Sequence, residues 1–462
     1  MNPRPDPPVA PAVPAASDRV PTVPASSDVP PAAPAGPAAP VRPDATPVAP
    51  APPPPSPAPP RGADTPHHGS ALPFPEARRV ASGAVGVLAG RGVGLGEAVG
   101  RVLARELTAR TDLPAFDTSA MDGWAVAGAG PWRVRGQVLA GQRAAGALGE
   151  GEAVRIATGA AVPEGATAVV RREDGRVEPD ADGGTLHAGR PPRPGQDIRP
   201  RGQECRAGDL LMAAGRMVTP AIAGLAAAAG YDEVAVVPRP EADVLVLGDE
   251  LLRSGPPRDG RVRDALGPLL PPWLAALGAG VRQVRTVGDD AEALRRAVTG
   301  STADVVVTTG GTAAGPVDFV HPVLRRIGAR LLVDGVAVRP GHPMLLALLP
   351  DGRPLVGLPG NPLAAVAGVV TLLVPVLRAL AGRPAHPHPE HTARLAEEVP
   401  GHRTDTRLVP VASVPEHAGT ARPLGFHGPA MLRGLAAADG MAVIPPGGAA
   451  AGAVVEVLRL GW

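Results

Sequence analysis

Between residues 239 and 382, short apolar runs recur at a spacing that one fold class explains. ADVLVLG, VRQVRTVG, ADVVVTTG, PMLLALLP and PLVGLPG read as strands, and DALGPLLPPWLAALGA, AEALRRAVTG, DFVHPVLRRIG and LAAVAGVVTLLVPVLRAL read as helices. Strands joined through helices predict a mostly parallel, doubly wound α/β sheet. Sheets of this kind bind ligands beyond the carboxyl ends of their strands. The run Leu363 to Leu377 is read as a buried helix, being shorter than a bilayer span and interrupted by Pro375.

The pattern differs on either side. From Leu72 to about Ala109 it reads as one or two helices ending in a short strand. Pieces such as WAVAG, WRVRGQVL and ATAVVRRE, separated by Gly, Pro and Asp, then predict a small β domain. GQECRAGDLLMAAGRMVTPAIAGLA predicts a strand, a turn and a helix from about Pro220 to Ala229, closer in character to the early helices than to the β insert. This order predicts a linking domain, helical and extended, from residues 72–109 and 200–238, with a β domain inserted at 110–199. The α/β domain follows at 239–383, and a C-terminal β domain at 384–462 opens on the linker-like PAHPHPEH. Residues 1–71, rich in Pro and Ala and lacking leucine, predict a disordered tail.

Composition changes this picture in three ways. A single cysteine, Cys205, excludes an internal disulfide and a cysteine-cluster metal site, and fits a reducing cytoplasm, the expected location. A formal net charge of +1 gives no general footprint for nucleic acid, and no charged start with an apolar stretch points to export or a membrane. There is no lysine, so apart from protonated histidine every cationic side chain is arginine.

The candidate chemistry lies at strand ends. Asp249 and Glu250 follow VLVLG, Asp289 and Asp290 follow VRTVG, and Asp318 closes the loop TTGGTAAGPVDF. In a parallel sheet these acids reach one rim, where they repel one another unless a cation such as magnesium neutralises them and bridges to substrate phosphates. Capping of the helix AEALRRAV is the competing reading, preferred for Asp290 and level with metal binding for Asp289. The loop itself, with Gly310, Gly311 and Gly315, is either a backbone cradle for phosphate or only a turn, and it lacks the lysine of a P-loop. A second loop, GLPGNP, offers Asn361 to neighbouring backbone and starts a helix at Pro362. VAVRPGHP adds Arg339 and His342 to the same surface. Ser119 is read as a loop hydrogen-bonding residue, Trp132 as core, Trp124 as core or a stacking platform, and His386, His388 and His391 as an incidental cluster.

These loops in this order, with LPAFDTSAMDGWAV and RIATGAAVPEGATAVV upstream, resemble the molybdopterin molybdenumtransferase family, MoeA and the gephyrin E domain. The resemblance runs from about Leu72 to the C terminus. It implies an enzyme of molybdenum cofactor biosynthesis that takes adenylated molybdopterin and molybdate, releases AMP and leaves molybdenum on the dithiolene. It also implies a homodimer whose site joins the α/β domain of one subunit to the inserted β domain of the other. Carried over by motif, the catalytic residues are Asp122, Thr158, Glu250, Asp289, Asp318 and Arg339, with Glu250, Asp289 and Asp318 as magnesium ligands. The cofactor-binding set is Gly310, Gly311, Thr312, Gly315, Pro340, Gly341, Gly360, Asn361 and Pro362. Glu204 stands in place of an aspartate, Gln203 of a glutamate, and Leu266 of an asparagine. Ala313 and Ala364 replace serines, and Arg339, His342 and Gly335 replace lysines. Those losses motivate the alternatives: a catalytically weak paralogue that stores or delivers the cofactor, or a scaffold.

Overall fold

A computed structural model describes residues 71–142, 145–180, 184–313, 318–383 and 391–462. The proline-rich tail before residue 71, Gly315, His386 and His388 lie outside the described residues.

The α/β unit is built on a six-stranded sheet in the order Gly280–Val287, Glu241–Leu247, Val305–Thr309, Pro354–Leu358, Leu345–Leu348, Arg330–Asp334. The first four strands are parallel, Leu345–Leu348 runs antiparallel to them, and Arg330–Asp334 pairs antiparallel with Leu345–Leu348 in turn. All five residues of Val305–Thr309 are buried, as expected of a strand covered on both faces. Alternate residues feed opposite cores. Val244, Val246, Val305 and Val307 pack with Leu270, Trp273 and Leu274 of the helix Leu266–Ala276 and with the apolar helix that begins at Pro362. Leu245, Val306 and Leu355 pack on the other face with Leu294 and Val298 of Ala291–Thr299 and with Val323 and Leu324 of Val320–Arg326. Gly280–Val287 forms one edge, and Arg282, Gln283, Val284 and Arg285 are exposed there.

The helix at Pro362 corrects one expectation. It runs without a break to Leu380 and is long and apolar enough, by length and composition, to cross a membrane, yet it is largely buried inside the protein. Pro375 does not interrupt it. A π-turn at Val369–Leu373 shifts the hydrogen-bond pattern, and Val374 N–H donates to Val369 O. The next donor in that register falls on Pro375, which has no N–H. Val370 O is instead reached by Arg78 Nη1 at 2.5 Å from the helix Phe74–Ser82. A sequence window sees the proline but not the distant donor that compensates for it.

The inserted β sheet runs Ala168–Arg171, Gly123–Val126, Glu152–Ile156, Trp132–Val138, Thr185–Ala188, Gly175–Glu178. On either side of it in sequence, Arg91–Gly94 pairs with Glu233–Val236, and Leu107–Thr108 pairs with Leu210–Met212. Trp132 is buried in the insert's core and donates Nε1–H to Gly128 O at 3.1 Å.

A seven-stranded sheet carries the C-terminal residues and recruits two strands from elsewhere. Leu72–Pro73 pairs with Val336–Arg339, which pairs in parallel with Thr406–Ser413. VAVR is therefore not a rim loop of the α/β sheet, as the sequence order suggested. Gly335, at φ +82°, turns the chain out of Arg330–Asp334 and into the second sheet. At the far end Trp273 Nε1 donates to Leu460 O, and its ring lies 5.0 Å from that of Trp462.

Replacing Arg78 by Met leaves Val370 O buried without its donor and is expected to destabilise the fold by about 1–3 kcal/mol. In a Pro375→Ala background, which restores a backbone N–H, the penalty should shrink. A double-mutant cycle in urea checks this, and strictly additive effects would refute the coupling.

Candidate functional site

Two glycine-bearing loops meet at the carboxyl ends of the parallel strands, and a third packs beside them. Val305–Thr309 runs into Gly310 and Gly311, at φ +84° and +67°. Gly310 N donates to Leu358 O at 2.9 Å. A Cβ on Gly310 would lie 3.3 Å from Leu247 O, and one on Gly360 would lie 3.5 Å from the Gly310 Cα. The TTGG and GLPGNP loops thus touch backbone to backbone. The third loop packs on the helix that follows the second: a Cβ on Gly341, φ +114°, would come within 3.2 Å of both Ala364 O and the Ala367 methyl. Thr312 is buried beneath, while Gly360 and Asn361 are exposed at the surface.

Asn361 departs from expectation. It occupies the N-cap position, but its side chain makes no capping hydrogen bond. The N–H groups of Leu363 and Ala364 are both taken by Pro429 O, at 2.9 and 3.3 Å. Pro362 has none. The start of this long helix is therefore closed to an anion by the C-terminal segment, and the open amides of the loop are those before Pro362. The role of Pro429 had no signature in the sequence, because a main-chain acceptor can come from any residue.

The carboxylates follow adjacent strands. Glu250 lies exposed two residues beyond Gly248, whose φ of +130° and missing side chain leave room for it, since a Cβ there would meet Glu250 Oε2 at 2.1 Å. Asp249 leans over Gly288, where a Cβ would meet its Oδ1 at 2.6 Å. Of the paired aspartates, Asp290 caps Ala291–Thr299, accepting from Glu292 N at 2.8 Å and Ala293 N at 3.2 Å. Asp289 plays no part in the cap. Asp318 stands two residues before Val320–Arg326. Among the described residues, no group of three or more His, Cys, Asp or Glu side chains converges to hold a metal ion. The three acids share a rim without forming a closed ligand cage.

Arg339 is tied to the C-terminal sheet. Its Nε donates to Asp405 Oδ2 at 2.8 Å, and the remaining guanidinium stays half-exposed. Asp405 also accepts from Thr404 Oγ1 at 2.9 Å, and His402 Nδ1 accepts from Asp405 N at 3.0 Å. Burial works against the Asp405 charge, but the bonds from Arg339 and Thr404 outweigh it and keep the carboxyl below its usual range. Asp405, His402 and Thr404 were not singled out from sequence. The register pairing Arg339↔Arg407, which sets Asp405 beside this strand, is a long-range feature.

Asp122 and Thr158 form a separate pair on the inserted sheet. Thr158 donates both its N–H and its hydroxyl to Asp122 Oδ1, at 2.7 and 2.8 Å. They border a cavity of about 750 Å³ lined also by Trp124, Gln137, Arg155 and Arg172. The two Thr158 bonds, then the charges of Arg172 and Arg155, hold the Asp122 carboxyl below its usual range. Among the described residues no hydrogen bond or ion pair joins this pair to Glu250, Asp289 or Arg339. Ser119, fully buried, donates to Met121 O at 2.6 Å in the same turn.

The chain matches family models along most of its described length. These are the MoeA N-terminal region (domain I and II) over residues 72–230, a probable molybdopterin binding domain over 243–379, and the MoeA C-terminal region (domain IV) over 392–460. It is 30% identical over 382 residues to a molybdopterin molybdenumtransferase of Staphylococcus aureus strain COL, covering 79% of this chain and 90% of that one. A Staphylococcus epidermidis protein of the same name is 30% identical over 384 residues, again covering 79% and 90%. The crystal structure of a molybdopterin biosynthesis MoeA protein from Pyrococcus horikoshii superposes with a TM-score of 0.71 at 28% identity, over 85% of this chain and 100% of that one.

The Asp122 pair gives a signed test. Thr158→Val removes the hydroxyl donor but keeps the N–H, so the Asp122 pKa should rise towards its ordinary range, and by more than in Arg155→Ala. Because the folded value is depressed, the stability linked to Asp122 is present above the unfolded pKa and is lost as pH falls through the folded one. The variant should shift that loss to higher pH. Carboxyl carbon NMR titration reads the pKa and urea denaturation at a series of pH values reads the stability, and an unchanged NMR midpoint in Thr158→Val would overturn the assignment.

Proposed function

The chain belongs to the molybdopterin molybdenumtransferase (MoeA) family, and from that membership we propose that it inserts molybdenum from molybdate into adenylated molybdopterin with release of AMP. Its general role, a transferase of molybdenum cofactor biosynthesis, follows from the family. The finer reading rests on one observation above others: Gly310 and Gly360 bring two amide-bearing loops together at the rim where the acid-bearing strands end. Backbone N–H groups there would face the phosphates of the substrate. Arg339, its Nε anchored by Asp405, would present its outward N–H groups to an oxyanion such as molybdate.

Magnesium belongs to this reading as an ion that arrives with the phosphates. Protein sites usually give it one or two carboxylates and leave the other positions to phosphate and water. Carboxylates from among Glu250, Asp289 and Asp318 would hold it, and bound there it would neutralise charge on the phosphoanhydride. Asp122 and Thr158, joined to each other on the inserted sheet, would be supplied by a second copy of the chain in a homodimer. A reducing cytoplasm is the proposed setting.

A second reading, a paralogue that binds the cofactor without making it, is favoured by the Pro429 carbonyl that occupies the Leu363 and Ala364 amides. Incubation with adenylated molybdopterin, molybdate and magnesium separates the two. The transferase reading expects AMP release matched by molybdenum on the pterin, and Asp318→Asn should lower turnover by about 10²-fold or more. Tight pterin binding without AMP release would replace the first reading by the second.

A further inference from the structure

The cavity of about 750 Å³ beside Asp122 is walled by one face of the inserted sheet. Trp124 is the register partner of Arg155, and Arg155 of Gln137, so the three side chains stand in a row across adjacent strands on that face. A bulge between Val134 and Gln137, with Gly136 at φ +118°, moves Gln137 onto the face that plain alternation would give to Gly136. Trp124 sits where the packed part of the face ends. Its ring is partly buried against the cluster of Val126, Trp132 and Val170, and it also lines the cavity. A Cβ on Gly175 would lie 2.6 Å from Trp124 Cζ3, so the missing side chain there is what admits the ring and fixes its plane.

We propose that this cavity takes the pterin end of the substrate, with the ring stacked on Trp124 and its aminopyrimidinone edge on the Asp122 carboxylate. The inference rests on the transferase reading for the identity of the substrate, and it adds which end of that substrate the inserted sheet receives.

The donor pattern selects the ring. A pterin carries a ring N–H next to an exocyclic amino group, two donors on one edge, followed by a carbonyl acceptor. An ionised carboxylate only accepts, and of its about four acceptor positions Thr158 fills two at Oδ1. Among the described residues no hydrogen bond reaches Oδ2, which is left for the paired donors of the pterin. The Thr158 bonds, then the charges of Arg172 and Arg155, keep Asp122 in the ionised form this needs. Arg172 is set beside the acid by its own backbone, whose N–H donates to Asp122 O at 2.9 Å. Its exposed guanidinium, with those of Arg155 and the Gln137 amide, supplies donors for the pterin carbonyl.

The other parts of adenylated molybdopterin fit this wall less well. Adenine sets its one amino group between ring nitrogens that accept, so a carboxylate would meet one donor and one repelling lone pair. A phosphate would be repelled by Asp122 and is better served by the amides of the glycine loops. The two ends of the substrate are thus sorted by chemistry, phosphate to main-chain N–H groups and pterin to the carboxylate and indole.

Equilibrium binding to the full chain tests this with two separate probes: 6-hydroxymethylpterin, followed by its own fluorescence, and AMP, followed by calorimetry. Wild type should bind the pterin saturably. Trp124→Ala should weaken it by about tenfold or more, and Trp124→Phe, which keeps an aromatic face, should recover most of that loss. Asp122→Asn puts a donor where the pterin needs an acceptor and should also cost about tenfold or more. Asp122 is exposed, so this variant decides the matter if Trp124→Ala fails to fold. AMP affinity should be unchanged throughout. The inference falls if wild type shows no saturable pterin binding, or if Asp122→Asn binds the pterin like wild type. It also falls if AMP is the probe these substitutions weaken, which would put adenine in the cavity. If the pterin behaves as expected but wild type releases no AMP from adenylated molybdopterin, the transferase reading fails and the pterin site stands.

Discussion

The rim depends on the close approach of Gly310 and Gly360. Their strands are hydrogen-bonded neighbours, and the Gly310 N–H continues the ladder to Leu358 O beyond the last paired residues. A side chain on either glycine would push its loop off the other or off Leu247 O. Both loops therefore present main chain rather than side chains, and Gly311 can turn in the left-handed region against Leu247 and Val320. What results is a patch of backbone bordered by carboxylates from the next strands. Such a patch is rigid because it continues the buried sheet, and chemically simple because it is made of amides.

The second constraint is how the C-terminal residues are joined to that sheet. Val336–Arg339 and Pro429 O attach through the main chain, to Thr406–Ser413 and to the helix start at Leu363, and Leu460 O accepts from the Trp273 indole. Main-chain attachment tolerates sequence drift while preserving geometry. It also explains how a chain without lysine holds a cation near the rim. A guanidinium can give one N–H to Asp405 and still offer the others, whereas an ammonium is a point charge on a freely turning stem.

Much of this was legible in the sequence, because the signals were local. Apolar runs ending in glycine mark the parallel strands, and their ends place Glu250, Asp289 and Asp318 on one rim. The capping rule separates Asp290 from Asp289 once the helix start is fixed. What escaped was non-local. VAVR has the same alternation whether it pairs inside the α/β sheet or leaves it, and only the turn at Gly335 and the register with Thr406 decide. Pro375 reads as a break until Arg78, nearly three hundred residues earlier, is seen to supply the donor that the π-turn lacks. Asp405, His402 and Pro429 act through pairings that no window of the chain contains.

The same distinction bears on the substituted positions. Gly335, where a lysine is expected from the resemblance, occupies a left-handed turn between two sheets, and its N–H is held by Met344 O at 3.0 Å. Ala364, where a serine is expected, is buried and its N–H is held by Pro429 O. Both lie where main-chain bonds between distant segments set the backbone. In the proposed function, losing a hydroxyl or an ammonium there would remove a contact to ligand without releasing the loop that carried it. A missing hydroxyl bond of that kind is a loss of about 0.5–1.5 kcal/mol and a missing bond from an ammonium about 1.5–3 kcal/mol, a change in affinity and not in architecture. The acids and the glycine contact, which in the proposed function set where a phosphate would lie, are untouched by these substitutions. Geometry is thus conserved by the main chain while binding strength is adjusted at the side chains.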